Sequence, residues 1–210
     1  MAKAQQKETV TEEDKNKQIY NMVDDLVKKS HVALDKMANF SQEQVDKICE
    51  AIAIAGERSA YPLAKMAVEE TGRGVVEDKT TKNMFASENI WNSLRHEKTV
   101  GVIKEDKEQG LTKIADPVGV IAGVTPVTNP TSTVVFKSMI ALKTRNTIIF
   151  GFHPQAQKCC VKTAEIIKEA AIKAGAPENC IQWIEKPSME ATNDLMTNPG
   201  VQTILATGGP

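Results

Sequence analysis

Short apolar runs alternate with helix-patterned stretches through the second half of the chain, and few architectures accommodate that alternation. Residues 111–115 form a strand candidate, and residues 118–124, Val-Gly-Val-Ile-Ala-Gly-Val, are continuously apolar up to Thr125-Pro126. A helical segment follows at 133–142, then a strand at 147–150, a helix at 161–174 closed by Gly175, a strand at 180–184, a helix at 188–196 and a last strand at 201–206. Apolar runs without polar alternation belong to strands covered on both faces, so the pattern predicts a parallel sheet flanked by helices. In such sheets ligands bind outside the carboxyl ends of the strands. Two segments occupy that position, the loop 125–132 and the stretch Thr207-Gly208-Gly209-Pro210.

The first hundred residues carry a different period. From Ile19 the apolar residues recur at Met22, Val23, Leu26, Val27, Ala33, Leu34 and Met37, the stripe of an amphipathic helix. Ser41 and Gln44 stand at capping-box spacing with Phe40 and Val45 at the staple positions, so a second helix starts there and continues its apolar face through Ile48, Ile52 and Ala55. A third holds Leu63, Ala64, Met66, Ala67 and Val68 and stops at Thr71-Gly72, where glycine suits a left-handed cap. A fourth spans residues 76–94, and packing alone accounts for all four. Residues 1–14 are polar and aperiodic, which predicts a flexible arm. The chain thus divides into that arm, a helical part at 15–100 and the first, incomplete part of an α/β unit at 101–210.

Composition narrows the function classes. The 26 basic and 27 acidic residues leave a formal net charge of -1, with no surplus to neutralise nucleic-acid phosphates. No apolar run approaches the ~20 residues of a transmembrane helix, and the opening residues lack the apolar stretch of a signal peptide. Cys49, Cys159, Cys160 and Cys180 fall in no Cys-x-x-Cys spacing and read as small buried hydrophobes in a reducing compartment, which makes the cytoplasm the expected location. His31, His96 and His153 are isolated, so no metal site is expected.

The loop Thr125-Pro-Val-Thr-Asn-Pro-Thr-Ser132 has two readings. Its hydroxyls and amide suit the N-cap of the helix that follows, and they equally suit donors aimed at a ligand, with Pro126 and Pro130 stiffening the backbone. Gly208 and Gly209 let a bound group approach the backbone closely, although a Gly-Gly pair after a strand is more often a plain turn. No G-x-G-x-x-G is present, so any dinucleotide site is of another type.

Taken together, Asp116-Pro-Val-Gly-Val-Ile-Ala-Gly-Val-Thr-Pro-Val-Thr-Asn-Pro-Thr-Ser-Thr133, Phe136-Lys-Ser138, residues 141–150, His153-Pro154, Ala174-Gly-Ala-Pro177 and residues 204–210 resemble the aldehyde dehydrogenase superfamily. Within it they look like the CoA-acylating N-terminal half of bacterial bifunctional aldehyde-alcohol dehydrogenases, and Phe40–Ile48, Pro62–Ala67 and Glu69–Gly72 agree. The fold this implies is α/β and aldehyde dehydrogenase-like: N-terminal helices, then a partial Rossmann-like parallel sheet with flanking helices. The implied activity is reduction of acetyl-CoA to acetaldehyde with NADH through a thioacyl-enzyme on a cysteine. A fused iron-dependent alcohol dehydrogenase unit would then make ethanol. The implied ligands are NAD, a coenzyme A thioester and aldehydes, and the implied assembly is a homo-oligomer or filament.

Residue by residue, the resemblance assigns Val124, Thr125, Pro126, Val127, Thr128 and Asn129 to the nicotinamide side and Gly208 and Gly209 to the pyrophosphate side. Most members read Pro-Trp-Asn-Phe-Pro at the first loop, with the asparagine on the oxyanion. Here a gapless match puts Thr128 at that place and Asn129 one residue later, so both stand as oxyanion donors. The usual ribose-binding lysine and glutamate fall at Gly151 and Pro154, which leaves the backbone, Phe152 or His153 for that task. The family's nucleophilic cysteine lies a few dozen residues beyond the Thr-Gly-Gly-Pro motif. The expectation is therefore an N-terminal fragment, inactive alone and poorly soluble through its uncovered last strand. Two alternatives accompany it: part of a single-function acylating aldehyde dehydrogenase, and a non-catalytic NAD-binding or assembly module.

Overall fold

The apolar stripe starting at Ile19 shapes one long helix. In the computed structural model, which describes residues 12–208, α1 (Glu12–Met37) buries Val23, Val27, Ala33 and Met37. It begins inside the stretch 1–14 read as an arm, whose residues 1–11 lie outside the described residues. α2 (Gln42–Arg58) starts with the capping box foreseen: the Gln44 N–H donates to Ser41 Oγ at 3.2 Å and the Ser41 N–H to Gln44 Oε1 at 2.8 Å. Each bond satisfies an amide that the first turn of a helix leaves unpaired. α3 (Ala60–Thr71) closes on Gly72 at φ +64°, where a side chain would be strained. The fourth helix is a single run in three pieces, α4 (Val76–Met84), a π turn at Phe85–Asn89 and α5 (Ile90–Leu94).

β1 (Gly101–Asp106) and β2 (Leu111–Ala115) form an antiparallel hairpin outside the main sheet. This corrects the placement of residues 111–115 among the parallel strands. Both hairpin strands are largely exposed, and Leu111 and Ile114 face solvent.

The parallel sheet contains β3 (Val120–Val124), β4 (Thr147–Gly151), β5 (Ile181–Trp183) and β6 (Thr203–Ala206) in the order β5-β4-β3-β6. Its crossovers are α6 (Pro130–Lys143), α7 (Gln157–Lys173) and α8 (Met189–Thr197). Counting the parallel strands alone, the order is third, second, first, fourth. This is the doubly wound arrangement, which reverses direction between β3 and β6.

Strand alternation distributes the core. Ile121, Ile148 and Phe150 pack with Val134, Val135, Met139 and Ile167 on the face covered by α6 and α7, over which α2 lies. Val120, Ala122 and Ile149 point the other way, to Val23 and Val27 of α1 and to Ala191 and Leu195 of α8. The N-terminal helix is thus part of the covering of the sheet. Gly123 is required by close packing: a Cβ there would stand 2.8 Å from a Phe150 ring carbon and 2.9 Å from Ile148 Cδ1.

Candidate functional site

The direction reversal places the carboxyl ends of β3 and β6 side by side, with Val124 in register with Ala206. A crevice of about 360 Å³ opens there, lined by Val124, Thr125, Pro126, Val127, Thr128, His153, Ala206, Thr207 and Gly208. Six of the eight residues assigned from sequence therefore meet at one place. Asn129 lies at the next turn, and Gly209 is outside the described residues. Gly208 sits at φ +112°, and a Cβ on it would come within 3.3 Å of Pro126 Cβ. A bare backbone at this point leaves the crevice floor open to a ligand.

Two buried lysines hold this end of the sheet. Lys137, fully buried on α6, donates to the Val124 carbonyl at 2.6 Å and the Leu205 carbonyl at 2.5 Å, tying β3 to β6 across the reversal. Burial pushes its amine down to about 8. Lys79, 5% exposed on α4, donates to the Thr128 carbonyl at 2.6 Å, and burial lowers its pKa as well, with Lys82 adding to the shift. Asn83, one turn on, accepts from the Thr131 hydroxyl at 2.8 Å and donates to the Ala60 carbonyl. None of the three carried a role in the sequence reading. A signal existed for each: Lys137 follows the apolar run 134–136 on α6, and Lys79 and Asn83 follow Val76 at i+3 and i+7, the inward stripe.

The loop's polar groups are not spent on capping. Asn129 is the N-cap of α6 but makes no side-chain cap bond, while its carbonyl accepts from the Thr133 hydroxyl at 2.6 Å and from the Thr133 N–H. Among the described residues the Asn129 N–H, the Asn129 amide and the Thr128 hydroxyl have no hydrogen-bond partner. On the other side of this loop lies a second cavity of about 580 Å³, mostly apolar, walled by Phe85, Ala86 and Ile90 and by Ser132, Thr133 and Phe136. Asn129 lines this cavity, Thr128 lines the crevice, and Thr207 lines both.

Other features are closed to ligands. The start of α7, the next helix N-terminus along the sheet edge, is occupied by Glu70, which accepts from the Lys158 N–H at 2.8 Å and the Cys159 N–H at 2.7 Å. Phe152, considered above for ribose, is buried and stacked on Phe150 with 5.3 Å between centroids, whereas His153 does face the crevice. All four cysteines are buried. Burial pushes the Cys49 and Cys180 thiols up to about 12, and contact with Cys160 followed by burial raises Cys159. Among the described residues no helix is long and apolar enough to cross a membrane.

The sequence matches the aldehyde dehydrogenase family over residues 4–210. An aldehyde-alcohol dehydrogenase of Streptococcus pneumoniae serotype 4 is 58% identical over 203 residues, 97% of this chain and 23% of that protein. This chain therefore spans about a quarter of that relative's length. An acetylating aldehyde dehydrogenase from Geobacillus thermoglucosidasius superposes with a TM-score of 0.91 at 48% identity, covering 94% of this chain and 44% of that one. An engineered glycolyl-CoA reductase with bound NADP+ superposes at a TM-score of 0.76 and 32% identity, covering 90% of this chain and 42% of its own.

Proposed function

The chain belongs to the aldehyde dehydrogenase family, and on that footing we propose that its sheet end forms one wall of a site where an acyl-CoA is reduced to an aldehyde. One observation carries the reading: a crevice at the strand reversal and an apolar cavity share Thr207 and are divided by Thr128 and Asn129, whose donors have no partner among the described residues. That layout suits a nicotinamide cofactor on one side and a short acyl group on the other. The net reaction is acyl-CoA plus NADH and a proton giving aldehyde, NAD+ and CoA.

The cofactor, when bound, supplies the hydride. The open backbone at Gly208 and the residues 124–128 would hold it, with Gly209 as the further member assigned by resemblance. Thr128 and Asn129 would donate to the thioester oxygen as negative charge gathers on it, Asn129 from the acyl side. A single such donor typically accounts for about 3 kcal/mol of barrier lowering. Phe85, Ile90 and Phe136 exclude water around the acyl chain. The thiolate that would carry the acyl group is not one of the four cysteines here, since each is buried among apolar groups.

The reading extends to the whole protein. It comprises acetaldehyde as product, an iron-dependent alcohol dehydrogenase unit that makes ethanol, cytoplasmic location and homo-oligomeric or filamentous assembly. The division into 1–14, 15–100 and 101–210 belongs to the same proposal. Two measurements on the 210-residue chain test the core of it. NADH fluorescence should titrate saturably and lose affinity at least tenfold in Gly208→Val. Acetyl-CoA-dependent NADH oxidation should stay at background. Binding indifferent to the Gly208 change would refute the crevice assignment, and clear turnover would refute the exclusion of the four cysteines.

A further inference from the structure

We propose that Lys79 is a positioning residue for this site, holding the Thr128–Asn129 peptide so that its unspent donor meets the thioester oxygen. The inference rests on the reading of that loop given above.

The first observation is energetic. Lys79 is 5% exposed and its ammonium meets a backbone carbonyl, with no carboxylate partner among the described residues. Burying an ammonium without a counter-charge opposes folding, and an apolar residue of like size is generally tolerated as well or better. What the lysine provides is therefore geometric. Its fold neighbours make room for it: Gly74, at φ +72°, would carry a Cβ only 3.3 Å from Lys79 Cε.

The second observation is what that geometry fixes. The described chain contains no cis peptide, so the Thr128 carbonyl and the Asn129 N–H lie in one plane and point in opposite directions. Holding the carbonyl on Lys79 fixes the peptide plane and with it the Asn129 N–H, the donor without a partner among the described residues. Asn83 restrains the first turn of α6 three residues on, through the Thr131 hydroxyl. The chain is thus held at 128 and 131 from a single helix, with Asn129 between the two restraints.

The third observation is continuity. α4 and the π turn that follows also supply Thr81, Lys82, Phe85 and Ala86 to the apolar cavity. The same element that shapes the acyl cavity therefore sets the donor beside it. Lys137 serves a different purpose, since it binds strand ends and not the loop.

The test compares Lys79→Met, Lys79→Arg and Asn83→Ala in the full-length protein that contains this chain. Hydrogen exchange is read by segment, and kcat for acetyl-CoA reduction is read beside the dissociation constant for NADH. Lys79→Met should speed exchange within residues 125–133 about tenfold, leave residues 120–124 unchanged and lower kcat about 10- to 100-fold. NADH affinity, to which residues 124–128 contribute, should fall by a smaller factor than kcat, and Lys79→Arg should recover most of the kcat. Unchanged exchange at 125–133, or kcat and NADH affinity lost by the same factor, would overturn the proposal. If Lys79→Met does not fold, Asn83→Ala must show the same local pattern in weaker form, and its absence would be equally fatal. A wild type without acetyl-CoA turnover that still shows the local exchange response would overturn the reaction assignment while supporting Lys79 as the residue that positions the loop.

Discussion

At Lys79 and Lys137 a buried ammonium group meets backbone carbonyls, and two of these, Val124 and Thr128, belong to residues that line the crevice. Side chains of this kind do not bind the ligand; they decide where the binding groups stand. The cysteines show the opposite arrangement. Cys49, Cys159, Cys160 and Cys180 fill space in the core, and burial pushes the Cys49 and Cys180 thiols up. A thiol reagent at pH 8 should therefore label none of the four quickly in the native chain and all four in denaturant. Fast labelling of any one would identify a thiolate that the burial argues against.

At the scale of elements, local chemistry starts and stops the helices. The Ser41–Gln44 box does so for α2, and Ser41→Ala should lower stability by about 1 kcal/mol in urea unfolding. An unchanged midpoint would mean that tertiary packing alone sets the start of α2. β3 has a different requirement. Its Gly123 leaves space for the Phe150 ring, so Gly123→Ala should cost about 1–3 kcal/mol through overpacking, although alanine suits a strand better than glycine in isolation. A gain in stability would show that the ring moves freely. The π turn at Phe85–Asn89 breaks the 3.6-residue period just where the helix turns Phe85 and Ala86 to the apolar cavity.

The molecule as a whole carries a strain of charge at its centre. Lys137 lies between sheet and helix with its folded pKa near 8, below the 10.5 of a free amine. The folded state therefore gives up this proton first. The cost of the buried charge is fully present below pH 8 and is relieved as pH rises from 8 towards 10.5. Measured against Lys137→Met, the wild type should gain about 1–2 kcal/mol between pH 8 and 10. A flat difference over that window would mean that the ammonium is better solvated than its burial implies. Below pH 8 the methionine variant also reports the value of the β3–β6 tie, since it removes the ammonium from the Val124 and Leu205 carbonyls and leaves Val124 only the Thr207 N–H.

The sequence by itself determined the class of fold and which strand ends could carry a ligand. Continuous apolar runs at 118–124 and 147–150 demand cover on both faces, and the segments after them must then lie at a ligand-binding edge. The capping box at Ser41 and the left-handed cap at Gly72 were equally plain, because both are written in neighbouring residues. Only the tertiary structure decided the order β5-β4-β3-β6, and with it which two strand ends stand together. Pairing between segments tens of residues apart leaves no mark in either one. β1 escaped notice and β2 was misplaced because a hairpin exposed on both faces has no buried stripe to announce it. The tertiary structure also separated Thr128 from Asn129, setting one in the crevice and the other in the apolar cavity. And it gave two lysines without a role in the sequence a place beneath the crevice and its loop, since only the assembled core reveals which ammonium groups are buried.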